Sequence, residues 1–278
     1  MELDRRMLLR AALGGAVAGG LGITGPAGAA ERRPPRHTIF VAGDSTAATY
    51  AVADVPRAGW GQALPLFLRP EVAVVNEALS GASSKSFADL GRLDRILAAI
   101  RPGDVLLVSF GHNDEKVEDP ARGTEPWTTF QEYLRRYLDG ARARRARPVL
   151  VTPVERRRFT AEGVPYLSHG EYPAAMRALA EDTGTPLIDL TALSFARWGA
   201  LGPEATKTHF LWLDPGVSPN YPAGVADNTH FQAHGAIEVA RLVVAAGRML
   251  PGRDHRALCD PAIPDDSLVW PPTRPAES

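Results

Sequence analysis

The sequence predicts an α/β protein built on a parallel sheet with helices on both faces. Short apolar runs recur along the chain, stretches with helical apolar spacing lie between them, and glycine-containing turns follow several of the runs. Strands alternating with helices imply parallel pairing with right-handed crossovers. The first strand is expected at 37–42, where Thr38, Ile39, Phe40 and Val41 stand in a row ahead of Gly43. A continuous apolar run closed by glycine fits a strand buried on both faces. Residues 72–75, 105–110, 149–151 and 187–190 repeat that pattern. Residues 60–68, 87–100, 128–145, 173–182 and 233–250 space their apolar side chains as helices do.

The chain has 278 residues, enough for one large α/β domain with a substantial core. Its net charge is -1, and it shows neither zinc-finger spacing nor a long Lys/Arg run, so it carries no signature of a nucleic-acid partner. Cys259 is the only cysteine, which rules out an intramolecular disulfide and leaves stability to packing. Residues 1–30 match an export signal of the twin-arginine type. Arg5 and Arg6 precede a glycine-rich apolar stretch, and Ala27-Gly28-Ala29 supplies a small-x-small cleavage pattern. That stretch is too short and too rich in glycine for a stable spanning helix, so export and a secreted product are expected. One domain is expected over 31–255, followed by a proline-rich tail over 256–278 that crosses the surface.

In parallel sheets, ligands bind beyond the carboxyl ends of the strands. Gly43-Asp44-Ser45, Ser80-Gly81 and Gly111-His112-Asn113-Asp114 each follow an expected strand, so three segments converge on one sheet edge. A serine nucleophile needs a base to take its proton, a carboxylate to hold that base, and donors for an oxyanion. Ser45 is the candidate nucleophile, and as the opening residue of a helix it would aim its own N–H at developing charge. Asp227 and His230, three apart on a turn, are the candidate acid and base. The N–H groups of Ser45 and Gly81 and the Asn113 side-chain amide are the candidate oxyanion donors. Blander readings accompany each: a helix cap for Ser45, ordinary turns for Gly81 and Asn113, and a capping aspartate beside a structural histidine for Asp227 and His230. A metal pair, His230 with His234, lacks the glutamate and third ligand of a zinc protease. His112 fits either a substrate contact or a structural role behind one. Trp60, Trp127 and Trp212 are candidates for stacking on sugar rings, Trp60 foremost.

These segments resemble the four sequence blocks of the SGNH (GDSL) hydrolases. The longer pattern is similar to the rhamnogalacturonan acetylesterase branch, through Ala42-Gly43-Asp44-Ser45-Thr46, Gly59-Trp60-Gly61-Gln62, Asn76 through Phe87, Phe110 to Asp114, Thr152-Pro153-Val154 and Asp227-Asn228-Thr229-His230-Phe231. Ala82 stands where members of that branch often carry arginine. The resemblance implies a flavodoxin-like three-layer α/β/α fold with five parallel strands. It also implies a serine esterase that removes O-acetyl groups from a pectin-like polysaccharide without metal or organic cofactor. A lipase- or thioesterase-like hydrolase, or a non-catalytic carbohydrate-binding protein on the same scaffold, are the alternative readings.

Overall fold

The computed structural model describes residues 37–273, and the expected export segment at 1–30 lies outside them. The chain enters through β1 (His37–Gly43), β2 (Arg57–Ala58), α1 (Trp60–Ala63) and β3 (Val72–Asn76). It continues through α2 (Ser84–Asp89), α3 (Arg92–Ala99), β4 (Val105–Ser109), α4 (Gln131–Ala143) and β5 (Arg147–Val151). Then come α5 (Tyr172–Asp182), β6 (Leu187–Ile188), α6 (Leu190–Ala205), β7 (Phe210–Leu213), β8 (Val225–Gln232), α7 (Ala233–Ala246) and α8 (His255–Cys259).

Five parallel strands form the central sheet in the order β3-β1-β4-β5-β6. Successive side chains of a strand point to opposite faces, and the core divides accordingly. Ile39, Val41, Val105, Leu107, Val149 and Val151 face a layer with α7, Trp60, Phe67 and Trp198. Phe40, Ala42, Leu106, Val108 and Leu150 face the opposite layer with α2 to α5. These are the three layers that the resemblance implies. The register pairs Gly43 of β1 with Ser109 of β4, so the segments that follow the two strands leave the sheet side by side.

The structure departs from the expected elements in several places, and the helix expected over 60–68 is α1 followed by a 3-10 helix over Leu64–Phe67. The helix expected over 87–100 is two helices, because Gly91 takes φ +73° and breaks the first. The strand expected at 187–190 stops at Ile188, where Asp189 accepts a hydrogen bond from Ala192 N–H and starts α6. Helix α6 itself was not expected, since Gly199, Gly202 and Pro203 obscure its period, and Gly202 is non-helical at φ 75°. A second, three-stranded antiparallel sheet, β2-β8-β7, packs outside the main one. Strand β2 is too short and β8 too polar to show in an apolar pattern, while β7 is an apolar run, Phe210 to Leu213, that the sequence reading passed over.

Beyond α8 the chain crosses back over the domain. Leu268 is buried, Trp270 Nε1 donates to Arg57 O (3.0 Å), Gln62 Nε2 donates to Val269 O (2.8 Å), and Val52 N donates to Pro271 O (3.0 Å). Among the described residues no helix is long and apolar enough to cross a membrane.

Candidate active site

The nucleophile turn is built by Asp44. Its Oδ1 accepts from Thr46 N and Thr46 Oγ1, both at 2.8 Å, and its carbonyl accepts from Ala47 N and Ala48 N at 3.1 Å. The chain therefore reverses at the end of β1 and holds Ser45 in the bend. No helix follows, so Ser45 does not open one as the sequence suggested; residues 45–47 form a turn that ends after Ala48 N donates to Asp44 O. Tyr50 Oη donates to Ser45 O (2.8 Å), which fixes the turn from behind. Burial raises the Asp44 carboxyl above the usual range, against the lowering effect of the Thr46 hydrogen bonds.

Asp227 and His230 lie on a bulge in the outer sheet rather than on a free turn. Phe210 pairs with Phe231 and Trp212 with Ala226, so two steps along β7 match five along β8. Residues 227–230 loop out of the ladder, and such bulges re-aim side chains. Asp227 Oδ1 accepts from Thr229 N (2.7 Å) and His230 N (3.0 Å), closing the bulge on itself. Asp227 Oδ2 lies 2.7 Å from His230 Nδ1, and His230 Nε2 lies 2.9 Å from Ser45 Oγ. A carboxylate only accepts, so Nδ1 carries the proton and Nε2 is left to accept from the serine hydroxyl. Burial pushes the Asp227 carboxyl up. The hydrogen bond and charge of His230, with the two backbone N–H groups, outweigh it and bring the group to about 2. Both His230 nitrogens are thus engaged. His234, the other half of the metal alternative, has Nδ1 at 3.4 Å from Asp265 and stacks edge-on to His209.

Gly81 sits third in a turn closed by Ala82 N donating to Leu79 O (3.1 Å), with φ +81°. That position needs the left-handed conformation that glycine adopts at no steric cost. Leu79 N donates to Gly43 O (2.9 Å), which fastens this turn beside the nucleophile turn. Asn113 Nδ2 donates to Ala82 O (2.9 Å), and Asn113 Oδ1 accepts from Lys116 Nζ (2.8 Å). The carbonyl and the ammonium together decide which way the amide points, and one of the two Nδ2 hydrogens stays uncommitted. Asp114 is fully buried and accepts from Ser84 N, Ser84 Oγ and Thr124 Oγ1. Burial outweighs those bonds and lifts its carboxyl to about 7.

The remaining candidates are spread more widely. Trp60 is 0% exposed in the layer beneath α7, so it is a core residue and the expected sugar contact is corrected. The glycines on either side of it bring α1 so close to the nucleophile turn that its indole has no way out: Trp60 N donates to Thr46 O (2.9 Å). His112 is buried edge-on to His169 (4.4 Å between centroids), with both ring nitrogens unpartnered. Burial, with His169 and Arg156 nearby, holds its imidazole well below the usual value and hence neutral. Trp127 is 48% exposed and donates to Glu171 Oε2 (2.7 Å). Trp212 lines an open cavity of about 630 Å³ together with Lys207, Asp214 and Gly224. Ala82 is buried in the layer of α2 and α4. Tyr50 and Lys116 support the site but were not picked out from the sequence. Lys116 had a readable signal, three residues after Asn113; Tyr50 had none.

Residues 41–236 match the model of the GDSL-like Lipase/Acylhydrolase family. The chain is similar to the rhamnogalacturonan acetylesterase RhgT of Bacillus subtilis, 46% identical over 219 residues, covering 78% of this chain and 93% of that protein. It is 40% identical over 205 residues to the probable rhamnogalacturonan acetylesterase YesY of the same organism, covering 74% and 89%. The crystal structure of YxiM from Bacillus subtilis superimposes with a TM-score of 0.65 at 34% identity, over 76% of this chain and 55% of that one. The acetylxylan esterase Axe2 of Geobacillus stearothermophilus, at 16% identity and a TM-score of 0.54 over 77% and 95% of the two chains, shares the fold.

Proposed function

The chain belongs to the GDSL-like lipase/acylhydrolase family, and we propose that it is a serine esterase, exported from the cell, that removes O-acetyl groups from a rhamnogalacturonan-like pectic polysaccharide. The observation that carries the reaction is the unbroken line of hydrogen bonds from Asp227 Oδ2 through His230 to Ser45 Oγ. The polysaccharide follows from relatives 46% and 40% identical over most of their lengths, both named for that substrate.

Ser45 Oγ attacks the acetyl carbonyl while His230 Nε2 takes its proton. Asp227 keeps the ring oriented and stabilises it once charged. The N–H groups of Ser45 and Gly81 and the free Asn113 amide hydrogen receive the oxyanion, each such donor lowering the barrier by about 3 kcal/mol. The C–O bond to the sugar breaks, His230 returns the proton to the leaving hydroxyl, and an acetyl-serine remains. Water, deprotonated by His230, releases acetate and restores the serine. His112 is buried edge-on to His169 with both ring nitrogens closed off from solvent, which supports the structural role behind Asn113 over a substrate contact. The exposed indole of Trp127 supports ring stacking along the glycan. The twin-arginine-like start supports export, consistent with a polymer that cannot enter a cell.

The test is acetate release from acetylated rhamnogalacturonan, homogalacturonan and xylan, with Ser45→Ala as control. Rhamnogalacturonan should be the best substrate and Ser45→Ala inert though folded. Turnover by Ser45→Ala would remove the nucleophile, and a preference for long-chain acyl esters would replace the glycan with a lipid-like substrate.

A further inference from the structure

The bulge that carries Asp227 and His230 is tied down from outside through Asn228. Asn228 O accepts from Arg157 N (2.9 Å), and Asn228 Oδ1 accepts from both Arg157 Nη1 and Trp212 Nε1 (3.0 Å each). Arg157 Nε and Nη2 grip Pro203 O (3.2 and 2.6 Å), at the kink of α6. The guanidinium lies over the Trp212 ring at 4.7 Å from its centroid, and Lys207 Nζ approaches the same ring at 4.9 Å. Arg157 is half-buried, and its fork is filled by a carbonyl and an amide oxygen. It therefore joins three separate elements at one point: the loop after β5, the kink of α6, and the β7–β8 ladder.

Within the four-residue excursion the internal ties are the two Asp227 hydrogen bonds to Thr229 N and His230 N. Those bonds set the Asp–His pair but not the direction in which the pair faces. Asn228, between the acid and the base, has no side-chain contact with either in the hydrogen-bond network; its bonds run outward to Arg157 and Trp212. Rotation of the bulge would carry His230 Nε2 off the Ser45 hydroxyl, and a displacement of about 1 Å in a reacting group costs about 100-fold in rate. We propose that Arg157 is a positioning residue for the reaction: acting through Asn228, it holds the Asp227–His230 bulge on the axis of Ser45. Planarity and the fork matter here as well as charge, because one rigid group must satisfy Asn228 and Pro203 while stacking on Trp212.

The inference rests on the esterase reading of Ser45, and the experiment separates the two. Arg157→Ala, Arg157→Lys, Asn228→Ala and the Arg157→Ala/Asn228→Ala double variant are assayed on p-nitrophenyl acetate beside Ser45→Ala, at a temperature where circular dichroism shows each one folded. Both Arg157 variants should lose about 100-fold in kcat with KM within about two-fold of the parent. Lysine fails to rescue because it keeps the charge and loses the fork. The double variant should be no slower than the slower single, since both break one linkage. Added guanidinium should restore part of the Arg157→Ala rate. Parental kcat in Arg157→Lys and Arg157→Ala, or losses that multiply in the double variant, would overturn the positioning role while an inert Ser45→Ala leaves the esterase intact. Activity retained in Ser45→Ala would overturn the esterase reading itself.

Discussion

Asn113 and Asp227 make distinct contributions at the scale of single residues. Asn113 spends one amide hydrogen on Ala82 O, and the proposed mechanism uses the other on charge that develops only as the reaction proceeds. Asn113→Ala should therefore lower kcat about 100-fold on p-nitrophenyl acetate and leave KM nearly unchanged; a change confined to KM would mark it as a binding group instead. Asp227 is held at about 2 against an ordinary 3.8. A carboxyl with a depressed folded pKa contributes stability that is complete above about pH 4 and fades as pH falls through about 2. Asp227→Asn should thus melt below the parent at pH 6, and the two melting curves should draw together between pH 4 and 2. The same substitution should cost roughly 10⁴-fold in kcat, because the amide can support the wrong imidazole tautomer. Both residues stood out in the sequence as candidates, because the chemistry proposed for them is carried by residue type and local spacing. What the chain alone did not show was that the Asn113 amide is oriented by Lys116 and Ala82.

Elements decide which candidates reach the site. Helix α1 lies against α7 with Trp60 fully buried, so its indole belongs to packing energy rather than to sugar recognition. Trp60→Ala should cost about 3–5 kcal/mol in urea unfolding and leave KM for the folded enzyme unchanged; the reverse pattern would return it to the substrate. The strands of the central sheet were legible because burial on both faces demands unbroken apolar runs. Strand β8 was not, since Asp227, Asn228, Thr229 and His230 interrupt it with polar groups. Its ladder to β7 is specified by a partner that precedes it by a long loop, and no local period records that partnership. Helix α6 escaped for a related reason: Gly202 and Pro203 break its pattern, while the kink they create presents the carbonyl that Arg157 grips.

The whole molecule uses its C-terminal segment as a strap across the loop behind the nucleophile. Val269, Trp270 and Pro271 hydrogen-bond to Gln62, Arg57 and Val52, next to Tyr50 and its hydrogen bond to Ser45 O, and Leu268 is buried in the core. Truncation after Cys259 should remove at least the burial of one large apolar side chain, about 2–3 kcal/mol. Calorimetry should read that as a fall in Tm of roughly 4–12 °C, together with a lower kcat; an unchanged Tm would show that the strap bears no weight. The sequence by itself determined the α/β class and singled out Ser45, Asp227, His230 and Asn113 as candidates, because strand burial and side-chain chemistry are local properties. Only the tertiary structure decided that Ser45 and His230, 185 positions apart, stand 2.9 Å from each other, that the acid–base pair rides on a bulge, and that Trp60 is core. Those outcomes depend on which distant segments pair and pack, and free energy of that kind is shared across the fold rather than written in any one stretch of chain.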